Sequence, residues 1–228
     1  LMNMPFAIRK NSLDSGLGEA RFDEARDVFD ALGQSRQAIC PQIQARQQIV
    51  AEASRMHRLL QIAIGAGELH ACALEAAGTV KCWGSNGFGQ LGRGVNGALP
   101  SAPDVVVGIS TAVELVVARD GRHSCVRLAD NTAKCWGAGS GGQIGDGVQL
   151  SHNPTPATVS GLSGALKLIG GALHTCALLT TQAVKCWGSN QFQQLGAPGQ
   201  NLSTVPLQVA GLTSGVLEIA GGAVHSCA

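Results

Sequence analysis

His70-Ala71-Cys72-Ala73-Leu74, followed after five residues by Val80-Lys81-Cys82-Trp83-Gly84, is the stretch on which the reading of this chain turns. It is written again as His123-Ser124-Cys125 with Lys134-Cys135-Trp136-Gly137, and as His174-Thr175-Cys176 with Lys185-Cys186-Trp187-Gly188. A fourth copy begins at His225-Ser226-Cys227. The histidines stand 53, 51 and 51 residues apart. A fixed period of about 50 residues is the mark of a repeat architecture of the propeller or solenoid kind.

Each unit reads as a β-hairpin, because large and small side chains alternate with period two. With Cys72 opposite Cys82, Leu74 faces Val80 and Glu75 faces Thr79, leaving Ala76, Ala77 and Gly78 as the loop. A three-residue hairpin loop needs a left-handed last residue. Gly78 suits it, Asn131 is the next best, and Gln182 fits least well. The same register puts Cys72–Cys82, Cys125–Cys135 and Cys176–Cys186 directly opposite one another, ten residues apart in each copy. Three readings are open: disulfides, a metal site on the His70, Cys72, Cys82 face, or buried free thiols. Disulfides are expected, because a structural zinc site wants four protein ligands and no fourth recurs in register. Closing such a loop stabilises by roughly 2–3 kcal/mol and suits an oxidising compartment.

Glycine-rich connectors follow each Trp-Gly: Ser85-Asn86-Gly87-Phe88-Gly89-Gln90-Leu91-Gly92, Ala138-Gly139-Ser140-Gly141-Gly142-Gln143-Ile144-Gly145 and Ser189-Asn190-Gln191-Phe192-Gln193-Gln194-Leu195-Gly196. They lead into strands, whereas a phosphate cradle opens a helix. The His-[Ser/Thr]-x-x-Leu strand and the Gly-x-Asn-x-x-Gly-Gln-Leu-Gly connector, at this period, resemble the regulator-of-chromosome-condensation repeat. The two-cysteine form with Lys-Cys-Trp-Gly resembles its bacterial, exported branch. The resemblance covers about residues 60–228. It implies blades of a seven-bladed β-propeller, each a four-stranded antiparallel sheet. Departures are Gly139 and Gly141 for the connector Asn and Phe, Gln193 for Gly, and Arg127 for a strand leucine.

The expected fold class is therefore all-β: a partial propeller of about three to four blades over residues 59–228, preceded by an N-terminal helical or disordered segment over 1–58. In that segment Phe22, Ala25, Val28, Phe29 and Leu32 share one helical face, and Ile39, Ile43, Val50, Ala53 and Met56 suggest a second helix. Cys40 has no repeat partner. Within the repeats, Leu60–Gly65, Leu115–Val117, Leu166–Leu168 and Leu217–Ile219 read as the blade's second strand. Its first strand is expected at Pro103–Val107, Pro156–Val159 and Pro206–Val209. Copy one has the helix-like Ala51–Ser54 there, so its blade is expected to lack an outer or inner strand or to borrow one from elsewhere. We expect a piece of a longer propeller, with any export signal upstream.

His70, His123, His174 and His225 recur with the scaffold rather than at one place, so they read as buried, hydrogen-bonded repeat residues. Trp83, Trp136 and Trp187 face away from the cysteines and read as blade-to-blade packing. No Ser-His-Asp grouping or carboxylate pair stands out, so no catalytic, cofactor or metal residue is assigned. With 14% charged residues and a net charge of +1, nothing attracts nucleic acid. No apolar run reaches the ~20 residues of a membrane helix. These readings point to a non-catalytic protein-binding scaffold, outside the cytosol (extracellular, periplasmic or at the cell surface). Its unknown protein partner would be engaged through the rim loops 93–102, 146–155 and 197–205. Guanine-nucleotide exchange on a small GTPase and inhibition of a secreted enzyme are the alternatives that relatives suggest.

Overall fold

The computed structural model describes residues 63–228. The chain divides into two units, Leu1–Met56 and His57–Ala228. The helices expected over 17–58, Cys40 and the proposed boundary at 58 lie outside the described residues.

Every regular element among the described residues is a strand. The first sheet runs β1 (Ala63–Ala66), β2 (His70–Leu74), β3 (Val80–Asn86), β4 (Gly97–Val105). The second holds β5 (Ala112–Val117), β6 (His123–Leu128), β7 (Ala133–Ala138) and β8 (His152–Thr158). The third holds β9 (Ala165–Gly170), β10 (His174–Leu179), β11 (Val184–Ser189) and β12 (Leu202–Gln208). A stub of β13 (Ala220–Gly221) and β14 (Ser226–Cys227) follows. In each four-stranded sheet, neighbours in space are neighbours in sequence, all antiparallel.

The hairpin register is as the spacing requires. Cys72 faces Cys82, Cys125 faces Cys135, and Cys176 faces Cys186. All three pairs are disulfides with Cα atoms 4.1 Å apart. Those thiols are therefore not free, and the metal and free-thiol readings of these six cysteines fall. The loop-ending residues Gly78, Asn131 and Gln182 have φ of 83°, 62° and 61°. Gln182 adopts the left-handed conformation despite its Cβ, so closure of the hairpin outweighs the local preference.

The strand grouping corrects one expectation. The proline-bearing segments are not the first strands of their blades. Val105 pairs with Lys81, Ala157 with Cys135 and Leu207 with Cys186, so each segment closes the preceding sheet as its fourth strand. The connector simply turns the chain back beside the strand it left. The first sheet is thus complete within residues 63–105 and lacks no strand. Pro103, Pro154, Pro156 and Pro206 then sit on edge strands, where a missing N–H breaks no ladder and discourages edge pairing.

The blades stack through one repeated contact. The disulfide face of sheet one, with Leu74, Val80 and Leu91, packs with Trp136, Val126 and Ala112 of sheet two. The disulfide face of sheet two packs in the same way with Trp187, Leu168 and Ala177 of sheet three. Trp136 and Trp187 are fully buried, and Trp83 is half-buried. Each buried indole donates its Nε1–H to the preceding connector, at 3.0 Å to Gln90 O and 3.0 Å to Gln143 O. A Cβ on Gly145 would stand 2.5 Å from Trp187 Nε1, so this glycine is required by the indole's approach. The disulfide face of sheet three opens into a cavity of about 190 Å³ lined by Leu195, Val209, Ile219 and Ser226.

Arg127 stands where the repeat has leucine because it has a partner. Its Nε donates to Glu114 Oε2 at 3.0 Å on the facing strand, and Glu114 Oε1 accepts from the Leu168 N–H of the next blade. Both side chains are about one-fifth exposed (21% and 23%). Arg127→Leu should destabilise by about 1–2 kcal/mol, because it leaves a largely buried carboxylate without its countercharge and with only the Leu168 N–H as donor. Adding Glu114→Gln should recover part of that loss in urea unfolding.

Candidate interaction surface

Because the sheets are antiparallel meanders, their turns alternate between two rims. One rim carries the β2–β3, β6–β7 and β10–β11 hairpin tips. The other carries the β1–β2, β5–β6 and β9–β10 turns together with the three connectors. Seven of the fourteen exposed large apolar side chains lie on this second rim: Leu69, Val95, Val148, Leu150, Leu173, Phe192 and Val224. The other seven lie along the strands and towards the opposite rim, so this rim is a candidate interaction surface. The expected loops 93–102, 146–155 and 197–205 belong to it, but their second halves are strand: β4 begins at Gly97, β8 at His152 and β12 at Leu202.

The connectors are held rigidly from below. Asn190 donates to Ala197 O at 2.9 Å and Gln200 O at 2.7 Å, and accepts from Leu195 N–H at 2.9 Å. Asn86 does the same with Val95 O and Leu91 N–H. The second connector has Gly139 and is braced instead by Gln149 on Ser140 O and by Asp146 on Val148 N–H. Asn190 is buried, so Asn190→Ala should destabilise by about 2–3 kcal/mol. Amide exchange should quicken first over residues 190–200.

The turns of the rim join neighbouring blades. Arg122 donates through Nε at 2.7 Å and Nη2 at 2.8 Å to the Glu68 carboxylate, and its guanidinium lies 4.8 Å from the centre of the Phe88 ring. Lys167 pairs with Glu218 between sheet three and the segment leading to β13. The Arg122 partner holds the Glu68 carboxyl below its ordinary value through a side-chain hydrogen bond.

His70, His123 and His174 lie beneath this rim, not on it, whereas His225, expected to be buried like them, is exposed in the two-stranded stub, which has no following sheet to cover it among the described residues. His70 Nε2 is 2.8 Å from Ser124 Oγ, His123 Nε2 is 3.1 Å from Thr175 Oγ1, and His174 Nε2 is 2.9 Å from Ser226 Oγ. Each histidine thus touches the residue after the next blade's histidine. All three rings are buried, and none of their Nδ1 atoms has a partner. Burial pushes His70 and His174 down to about 4, with the charge of His225 adding to the second. Burial pushes His123 down to about 3, helped by the charges of His70 and His174. These imidazoles are neutral spacers between blades and offer no charge to a ligand. His225 and the free Cys227 line the cavity against sheet three. The sequence marked the histidines but not their bonds. The signal was the Ser124, Thr175, Ser226 series, which is Ala71 in the first copy.

The chain matches the Regulator of chromosome condensation (RCC1) repeat over residues 61–90, 170–194 and 184–228. Among curated proteins it is similar to the probable E3 ubiquitin-protein ligase HERC6 of Homo sapiens, 30% identical over 169 residues, which are 72% of this chain and 16% of that protein. It is also similar to the E3 ubiquitin-protein ligase HERC2 of Homo sapiens, 31% identical over 175 residues, 75% of this chain and 4% of that protein. The chain therefore spans under a fifth of either relative's length. Among solved structures, yeast RCC1 in its complex with Kap60 matches with a TM-score of 0.62 at 21% identity, over 72% of this chain and 40% of that one. Human WBSCR16 matches with a TM-score of 0.56 at 22% identity, over 65% of this chain and 37% of that one. At such identities the two structures speak to the fold alone.

Proposed function

The chain belongs to the Regulator of chromosome condensation (RCC1) repeat family, and from that premise we propose that it is a non-catalytic scaffold for protein–protein interaction. It engages its partner through the connector rim, and it works outside the cytosol. The observation that carries the reading is the gathering of exposed apolar side chains on that rim, set on connectors braced by buried Asn86 and Asn190. A rigid surface with apolar anchors keeps the ordering cost of binding low. The ring of His, Trp and Cys residues is used up by blade packing, which leaves the rim as the variable part. The three disulfides support an oxidising compartment, where such bonds persist.

Scrambling residues 93–96, 146–151 and 197–201, outside the strands, should abolish co-purification of partners from the native host. Scrambling the opposite hairpin tips at 76–77, 129–130 and 180–181 should not. Partners retained equally by both variants would sink rim binding. Nucleotide exchange rests on the shared fold, which does not carry function with it. A nucleotide-release assay on small GTPases tests it, and an inhibition screen against secreted enzymes tests the third reading.

A further inference from the structure

Asn-Gly occurs twice in this chain, both times around the first connector: Asn86-Gly87 lies within it and Asn96-Gly97 follows it. The dipeptide carries a chemistry of its own. The backbone nitrogen after an asparagine attacks the side-chain amide carbon, giving up its proton as a cyclic succinimide closes. The C–N bond of the side-chain amide breaks, and its nitrogen takes up a proton and leaves as ammonia. Water then opens the ring at either carbonyl, leaving aspartate or isoaspartate. Water is the sole co-reactant. A following glycine favours the attack, because no Cβ crowds it and the backbone reaches the conformations that the ring needs.

The fold treats the two asparagines in opposite ways. Asn86 is 5% exposed, its Nδ2 donates to Val95 O at 2.8 Å, and its Oδ1 accepts from the Leu91 N–H at 3.1 Å. Its amide carbon cannot swing towards the Gly87 nitrogen without breaking both bonds. Asn96 is exposed, and among the described residues no hydrogen bond restrains its side chain. Gly97 is the first residue of β4, at the end of its ladder. No atom lies within 4 Å of the place a Gly97 Cβ would take, so nothing hinders ring closure on that side. The loop base is held by Arg93, which donates to Ser101 Oγ at 2.5 Å and Cys82 O at 2.8 Å, while Asn96 stands clear of it.

We propose that Asn96 is a self-modification site. The Gly97 nitrogen displaces its side-chain amide and converts it to isoaspartate or aspartate, while the two hydrogen bonds of Asn86 keep the neighbouring Asn-Gly unreactive. Conversion places a negative charge beside Val95, which is 64% exposed on the rim. Isoaspartate also lengthens the main chain by a methylene where β4 begins. The rim surface therefore changes with the age of the molecule, whether or not the rim holds a partner.

The test incubates the full chain in mildly alkaline buffer made with 18O-labelled water and follows the peptides around 86–87 and 96–97 by mass spectrometry. Asn96 should lose its amide and take up label faster than Asn86 by about tenfold or more, since Asn86 must first break two hydrogen bonds. Isoaspartate should exceed aspartate. In urea the two rates should converge. Gly97→Ala, at an open position without a positive φ, should slow Asn96 by a similar factor and leave Asn86 unchanged. Equal rates at the two asparagines in the folded chain would overturn the site, as would an unchanged Asn96 rate in the Gly97→Ala chain. Rates that stay apart in urea would overturn the protection of Asn86 by its fold.

Discussion

Acidification from pH 7 to pH 5 should unfold this repeat array far more readily than its carboxylates alone would cause. Free in an unfolded chain, a histidine titrates near 6.5, whereas His70 and His174 titrate at about 4 and His123 at about 3 in the folded chain. The unfolded chain therefore binds more protons through this window, and stability must fall as the pH drops. The contribution is fully present above about pH 6.5 and is lost progressively down to about 4 for His70 and His174 and about 3 for His123. At pH 5 the linkage amounts to roughly 2 kcal/mol for each histidine, or about 6 kcal/mol for three. That is comparable with the whole stability of an ordinary domain. The groups facing these rings are the Ser124, Thr175 and Ser226 hydroxyls and the neighbouring histidines, with no carboxylate to hold an added proton. Thermal midpoints measured from pH 7.5 to 4.5 should drop steeply below 6.5. The His70→Gln, His123→Gln, His174→Gln triple variant keeps a side-chain donor toward each hydroxyl and should show a much shallower slope. Equal slopes would remove the histidines from the account.

Why some of this was legible in the sequence and some was not comes down to what a repeat constrains. Cys72 and Cys82 fixed a register, because two sulfurs can meet only across directly facing strand positions. That register then dictated the loop length and the left-handed residue at 78, 131 and 182. The period said nothing about where one sheet ends, since a chain of equal hairpins can be cut at any strand. Hence Pro103–Val107 could be read as opening a blade when its residues close the one before. The rim was legible as variable, but its chemistry was not. Leu69, Leu173 and Val224 precede the histidine in otherwise alternating strands, and only the turn geometry shows that they face outward. The disulfides and tryptophans followed from strand alternation, with no knowledge of the third dimension beyond the two faces of a sheet.

Replacing Trp136 by alanine should cost about 3–5 kcal/mol, the range for a large aromatic removed from a closed core. The side chain is fully buried between the disulfide of sheet one and the body of sheet two, and its N–H is bonded to Gln90 O. Trp187 stands the same way one blade on, against Cys125–Cys135, and should cost as much. Trp83 is only half-buried, so Trp83→Ala should cost well under half of that. In a stacked array, stability is a sum of unit terms and interface terms. Trp136→Ala therefore weakens one interface, not the array evenly. Hydrogen exchange should show β2 and β3 opening at lower free energy than β10 and β11, with the order reversed in Trp187→Ala. Trp136→Phe separates the two components: it keeps most of the packing and loses the indole bond, at about 1 kcal/mol. The idea that tryptophan on disulfide is what couples the blades fails if Trp83→Ala is as damaging as Trp136→Ala, or if either buried variant loosens all three sheets together.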